Sequence, residues 1–387
     1  MNGKVVQSEG RKWFAPAEAA IPLSIVFKTT TRSDKSFNTH DYFAKHHYTL
    51  GNSARSLLYL VLKKLSLAGL AKGRDEVLIP GYTCYSVAAA VVKAGLKIAV
   101  YDIDPKSLNP DRSSVKSRVS EKTLAIISQH LFGIPSETKF LQKMAHAHGA
   151  VHIEDAAQAM GGKDHIGILG TKGDYGLYSL GRGKPLPLGT GGILLSPKSN
   201  DLIAFSERRA NFGIMALAKT AMTEIFSRPS LYRLVEALPL GLGETHFDPG
   251  FRLNQMPVLI KSLFIRSMPL LEVLNSHRRI IAGEYRMNLP AKALINEPCD
   301  SKCVYTRFPF LASSVRIAET LKPLGVRQMY PKCLIDEKKV SAFISQDSKD
   351  TPGARELANR LITLPTHSRI SIEIAGHISG ALQKCVG

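Results

Sequence analysis

The chain has 387 residues, with 51 Lys and Arg against 32 Asp and Glu and a formal net charge of +19. Its 44% hydrophobic and 21% charged residues are ordinary globular composition and exclude a disordered or collagen-like chain. At roughly 100–200 residues per domain, the length predicts two or three domains, or one large lobe with a smaller companion. No run of ~18 uninterrupted apolar residues occurs: Lys93 and Lys97 break the best early candidate, Lys219 and Glu224 the later one. The opening MNGKVVQSEGRKWF lacks the apolar core of a secretion signal. Cys84, Cys299, Cys303, Cys333 and Cys385 are too scattered for a disulfide framework or a metal site, which suits a reducing cytoplasm. The positive charge is spread along the chain, without a Lys/Arg block or a nucleic-acid-binding signature. It predicts a solvated basic surface that steers phosphorylated small molecules, and no nucleic-acid partner.

Residues 1–50 are mixed in composition, with one apolar patch at AIPLSIVF. SARSLLYLVLKKLSLAGL follows, with Leu57, Leu60, Val61 and Leu65 at helical spacing and Gly69 as its stop. Short apolar runs then alternate with helical stretches. EVLIP, KIAVYDID, LAIISQHLFG and the start of AVHIEDAAQ read as strands; SVAAAVVKAG and SETKFLQKMAHAHG read as helices, the second opened by Ser136. YGLYSL and GGILLS read as two further strands flanking the loop GRGKPLPLGT. Buried-type strands separated by helices signal βαβ units and a mainly parallel sheet, hence an α/β core.

Between Gly213 and Gly243 the texture changes. IMALAKTAMTEIF places Ile214, Leu217, Ala221, Ile225 and Phe226 near one helical face, and Pro229 starts a second helix, SLYRLVEAL. Such a basic amphipathic hairpin suits peripheral contact with a membrane surface; the expected role is an insertion packed on its own subunit or on a partner. From FDPGF onward a helical stretch (Leu259 to Tyr285), shorter strands (VYTRFPFLA, GVRQMYP) and a terminal helix predict a smaller α+β domain. The expected division is 1–249, carrying an insertion at about 214–245, and 250–387.

Three segments carry candidate chemistry. In IEDAAQAMGG, Asp155 and Gln158 follow a buried-type strand, where α/β sheets place ligand-contacting groups. In GDYGLYSLGRGKPLPLGTGG, Lys184 sits in a loop five residues after Ser179, between Gly183 and Pro185, off any regular helix. Held in a cleft, its amine would be a nucleophile. The third segment is the helix start NSARSLL. Each has a plainer reading: Asp155 as a helix N-cap, Lys184 as a solvent-facing loop lysine, Ser179 as a strand end, GTGG as a turn. A phosphate-binding P-loop is excluded because Tyr178 and Pro185 occupy its key positions, and no G-x-G-x-x-G follows the first strand.

EDAAQ, GDYGLYSLGRGK and GTGG together resemble the DegT/DnrJ/EryC1/StrS aminotransferases, the sugar aminotransferase branch of the fold-type-I pyridoxal 5'-phosphate (PLP) enzymes. The likeness extends to RSLLYLVL, DEVLIPGYTCYSVAAAVVKAGLKIAVYDID, QHLFGIPSE, ERRANFG and GVRQMYP, nearly the whole chain from about residue 50. It implies a fold-type-I PLP transferase: a mainly parallel sheet flanked by helices, plus a smaller α+β domain. It implies that Lys184 forms the internal aldimine and then moves the proton, that Asp155 pairs with the pyridine nitrogen and that Gln158 bonds the ring's 3-oxygen. Ser179 and the helix start at Ala54 and Arg55 would hold the phosphate. The chain departs from the family at three places. Ala54–Arg55 replace a Gly-Thr, adding a guanidinium to the phosphate end. Cys84 takes the place of the ring-stacking aromatic, for which Tyr82 or Tyr85 could substitute. Arg252, with Asn254 two residues on, stands where an Asn is donated across a homodimer interface. The implied reaction moves an amino group from an amino acid such as glutamate to a keto group of a nucleotide-linked sugar, as in polysaccharide biosynthesis. Loss of turnover, leaving a PLP-fold binding or regulatory protein, and a basic membrane-associated protein are the alternatives.

Overall fold

The computed structural model of the chain describes residues 13–17, 21–29, 42–43, 46–69, 72–198, 212–237, 246–345 and 350–386. Most of the first 45 residues, most of ERRANFG and the end of the insertion from 238 lie outside the described residues.

Seven strands form one sheet in the order β1-β9-β8-β5-β4-β2-β3. They are β1 (His47–Gly51), β2 (Glu76–Pro80), β3 (Lys97–Tyr101), β4 (Thr123–Gln129), β5 (Val151–Asp155), β8 (Tyr175–Ser179) and β9 (Gly192–Ser196). β6 (Lys163–Asp164) and β7 (Gly167–Ile168) make a separate two-residue pair. The five central strands from β3 to β8 pair in parallel; β9 and β1 run antiparallel at one edge. β4 is buried along all seven residues, as a parallel strand covered on both faces must be. Helices α1 (Ala54–Gly69), α2 (Tyr85–Lys93), α3 (Arg112–Arg118) and α4 (Thr138–Ala147) supply that cover. α1 turns Leu57, Leu58, Val61 and Leu62 inward and α2 six of its nine residues, each large aliphatic contributing about 1.5–3 kcal/mol when fully buried. α4 begins at Thr138, one residue later than a Ser136 cap predicts, with Glu137 at the cap position, and the Ser136 amide donates to His130 Nδ1 at 3.1 Å.

The insertion is two helices, α5 (Ile214–Phe226) and α6 (Pro229–Ala237). Of the apolar face read from sequence in α5, the chain itself covers only part. Leu217 and Thr220 are buried, whereas Ile214, Ile225 and Phe226 lie exposed. The polar Thr220 turns the helix, since its hydroxyl donates to the Leu188 carbonyl at 2.7 Å in the loop that carries Lys184. α7 (Val258–Ser267) and α8 (Leu270–Asn288) follow, separated at Met268–Pro269 where a single helix was expected. α8 packs on the terminal helix α10 (Ile372–Val386). Between them, β10 (Phe308–Leu311), β11 (Arg327–Gln328) and β12 (Leu361–Leu364) form a small antiparallel sheet ordered β10-β12-β11, with α9 (Pro352–Arg360) leading into β12. Among the described residues no helix is long and apolar enough to cross a membrane.

Candidate active site

At the C-terminal ends of β2, β4, β5 and β8, where open α/β sheets bind ligands, lies a cavity of about 240 Å³. Ala54, Arg55, Cys84, Asp155, Gln158, Ser179 and Lys184 all line it. Four segments far apart in sequence converge there.

One end is the N-terminus of α1. Ser53 caps it, its Oγ accepting from the Ser56 amide at 3.1 Å. The amides of Ala54 and Arg55 come first in the helix, ahead of its own ladder of hydrogen bonds, so that backbone donors and helix dipole favour an anion at this end. β9 allows this approach: a Cβ on Gly192 would lie 2.3 Å from the Ala54 nitrogen. The GTGG run is therefore the bed on which the helix start rests rather than a turn alone. Ser179, the last residue of β8, completes this wall and accepts from the Gly181 amide at 3.3 Å. The guanidinium expected at the anion end points elsewhere. Arg55 lies over the Phe251 ring, 4.4 Å from its centroid, and beside Asp248 at 3.9 Å.

Asp155 is the last residue of β5. Its Oδ1 accepts from the Ala157 amide at 3.0 Å, closing an Asx-turn; no helix follows, so this is no N-cap. Burial pushes its carboxyl above the usual carboxylate range, against the opposing pull of the Ala157 amide and the positive charge of Lys184. Gln158 is gripped by its carbonyl: Oε1 accepts from the Phe132 amide at 2.9 Å and from Thr306 Oγ1 at 3.2 Å. That fixes the amide's orientation and leaves Nε2 as donor, one bond going to the Tyr330 hydroxyl at 3.3 Å. The grip needs an unusual backbone, with Phe132 at φ 58 and Gly133 at φ 79. At Gly133 a Cβ would meet the Gln158 carbonyl oxygen at 2.6 Å.

His130 and Tyr330 are among the wall residues that sequence reasoning missed. Both lie in segments, QHLFG and GVRQMYP, whose pattern was legible but whose side chains had no assigned contact. His130 Nδ1 accepts from the Ser136 amide, so Nε2 carries the proton donated to Glu154 Oε1 at 2.7 Å. Burial alone would raise the Glu154 carboxyl. The His130 bond, the nearby Lys172 charge and the Gly170 amide outweigh it and bring it down to about 2.

Cys84 reaches the cavity as a thiol, its Sγ accepting from Ser86 Oγ at 3.0 Å. Neither neighbouring tyrosine substitutes for an aromatic wall. Tyr82 is buried with its hydroxyl accepting from the Tyr330 amide at 3.3 Å, and Tyr85 donates to the Lys332 carbonyl at 2.9 Å. Arg252 is not brought into the cavity of its own chain. It is exposed, and its backbone carbonyl accepts from Asn52 Nδ2 at 3.3 Å where the 252–255 segment runs beside β1. Asn254 likewise makes backbone contacts with Asn52.

Backbone donors at a helix start, a desolvated carboxylate and an amine on the walls of one cavity fit a phosphorylated, nitrogen-containing aromatic aldehyde such as PLP. Comparison with known proteins agrees. A model of the DegT/DnrJ/EryC1/StrS aminotransferase family matches residues 29–383. A pleiotropic regulatory protein of Geobacillus stearothermophilus is 38% identical over 138 residues, covering 35% of this chain and 36% of that protein. A dTDP-4-dehydro-2,3,6-trideoxy-D-glucose 4-aminotransferase of Saccharopolyspora spinosa is 24% identical over 341 residues, 87% of this chain and 83% of its own length. The first four curated relatives are matched over only 36% to 57% of their lengths. Among solved structures, Helicobacter pylori PseC, described as an aminotransferase involved in the biosynthesis of pseudoaminic acid, superposes with a TM-score of 0.74 at 16% identity, over 97% of this chain and 99% of its own. That likeness is one of fold.

Proposed function

The chain belongs to the DegT/DnrJ/EryC1/StrS aminotransferase family, whose cofactor is PLP, and from that premise we propose that it carries an amino group from an amino acid such as glutamate to a keto group of a nucleotide-linked sugar. When bound, the cofactor supplies an electron sink for the carbanion formed at the carbon bearing the amine. Lys184 Nζ would be the amine that holds the cofactor through its aldehyde and, when free, would hold and move the proton at the substrate carbon. Asp155 faces the ring nitrogen, where a desolvated carboxylate favours a protonated partner more strongly than in water. Gln158 Nε2, its orientation fixed from behind, donates to the ring's 3-oxygen. The Ala54 and Arg55 amides and Ser179 receive the phosphate. Cys84 and His130, both on the cavity wall, would border the bound ring. Arg252 acts in a homodimer, reaching the phosphate bound by the partner subunit.

The observation that carries this reading is the convergence of Lys184, Asp155, Gln158 and the α1 N-terminus on one cavity. A family relative that acts on a dTDP-linked keto sugar supports the acceptor class, as does the +19 charge, which attracts a diphosphate. The test is exchange in two halves. Glutamate should bleach the visible band of the cofactor-loaded protein, and one of a panel of 3- and 4-keto sugar nucleotides should restore it with release of an amino sugar seen by mass spectrometry. A loaded protein that no amino acid bleaches contradicts the proposal and favours a binding or regulatory role.

A further inference from the structure

The inward stripe of α8 is Leu271, Asn275, Arg278, Ile281, Ala282 and Tyr285. Two of these positions break an otherwise apolar pattern, and both side chains are essentially without solvent exposure. Burying a guanidinium is costly unless its hydrogen bonds are well placed. Here Arg278 Nη1 donates to the carbonyl of Pro185 at 2.9 Å, the residue directly after Lys184, and to Asn275 Oδ1 at 2.7 Å. Asn275 Nδ2 in turn donates at 3.0 Å to the carbonyl of Met160, which closes the turn holding Asp155 and Gln158. Gly161, at φ +87, lets this happen, since a Cβ there would lie 2.5 Å from Asn275 Nδ2. One continuous chain of hydrogen bonds thus joins the loop of the lysine to the turn of the carboxylate, through a rigid helix that does not line the cavity.

We propose that Asn275 and Arg278 are positioning residues that set the amine of Lys184 relative to Asp155 by clamping the two segments to α8. The inference rests on the roles given above to Lys184 and Asp155. Arg278 defines the near end of the lysine loop; the far end is held independently by Thr220, from the insertion. Without the clamp the loop keeps its Thr220 tether and shifts at the lysine. A displacement near 1 Å at a reacting group lowers rate by roughly a hundredfold without removing the ligand.

The test uses the full chain loaded with PLP and two variants. Arg278→Met removes both donors with little change of volume. Asn275→Asp still accepts from Arg278, which should keep it folded, but loses the bond to Met160. Both should bind PLP at full stoichiometry. The donor half-reaction should slow roughly tenfold to a hundredfold in Arg278→Met and less in Asn275→Asp, with the concentration of glutamate at half-maximal rate changed by less than about twofold. The pH midpoint of the visible band should move by about half a unit or more, because the charge environment of the lysine has changed. Without cofactor, the amide of Leu188, bonded to the Leu180 carbonyl at 2.8 Å at the end tethered by Thr220, should exchange its hydrogen in Arg278→Met as in wild type, which separates a local shift at the lysine from general loosening of the loop. Arg278→Lys, restoring one donor, should recover part of the rate. If both variants show wild-type half-reaction rate and band midpoint, the clamp is overturned while the proposed function stands. A wild type that gives no visible band with PLP overturns both. Should Arg278→Met fail to fold, Asn275→Asp decides alone: an unmoved midpoint and rate reject the clamp.

Discussion

Asp155 shows what a single side chain contributes here. Its carboxyl ends a strand on the cavity wall, is desolvated, and has one oxygen tied to the Ala157 amide. Asp155→Asn keeps the shape and removes the charge. We expect PLP to remain bound through the phosphate end while the donor half-reaction slows at least about a hundredfold, since the ring nitrogen loses the partner that keeps it protonated. Near-normal turnover, measured by bleaching of the visible band, would withdraw the role. His152, three residues earlier on the same strand, acts on stability. Burial pushes its imidazole down to about 4 from the ordinary 6.5. Between those pH values the unfolded chain takes up a proton that the folded chain refuses. The stabilising effect is therefore full above about pH 6.5 and lost as pH falls toward 4, by up to about 3 kcal/mol. Urea midpoints at pH 7.5 and 4.5 should converge in His152→Gln relative to wild type; an unchanged gap would show that the buried imidazole does not matter. Lys184, Asp155, Gln158 and Ser179 stood out in the sequence by their places after buried-type strands and in a glycine-bracketed loop, and the family resemblance supplied their roles; the structure brings all four to one cavity. His130 and Tyr330 did not stand out, since a side chain becomes a wall residue only through the tertiary path of its segment.

Among the elements, the pairing of β9 with α1 governs the anion end. The helix start lies so close to the sheet that position 192 has no room for a side chain. Gly192→Ala must push the Ala54 amide outward, costing about 1–3 kcal/mol of stability and weakening cofactor binding about tenfold or more. Fluorescence titration with PLP measures the second effect; unchanged affinity would show that those amides hold nothing. The strands and covering helices of the core were readable because a parallel sheet demands continuous apolar runs, as in β4, and α1 and α2 carry clear helical periodicity. What ties α5 to the chain was not legible in the sequence, for a physical reason. The apolar stripe was, but the contact with the lysine loop is a hydrogen bond from Thr220, which hydrophobic pattern does not report. The break between α7 and α8 escaped for a different reason. Both helices are apolar through it, and only Pro269 marks the turn.

For the whole molecule, the cavity of one chain is built without Arg252, although the proposed function gives that residue a task. A homodimer reconciles the two. Arg252→Ala should bind PLP about tenfold more weakly, and mixing it with Lys184→Ala should regain tight binding in the hybrid, where one site combines an intact lysine with Arg252 of the partner subunit. Light scattering that finds only monomers, or mixing that restores nothing, would remove Arg252 from the site.

All of these assignments depend on where the cofactor is attached. Incubation with PLP, reduction with borohydride and mass mapping of the peptides locates the bond directly. A single reduced adduct is expected on Lys184, absent from Lys184→Ala. An adduct on another lysine, or none on the wild-type chain, would contradict it.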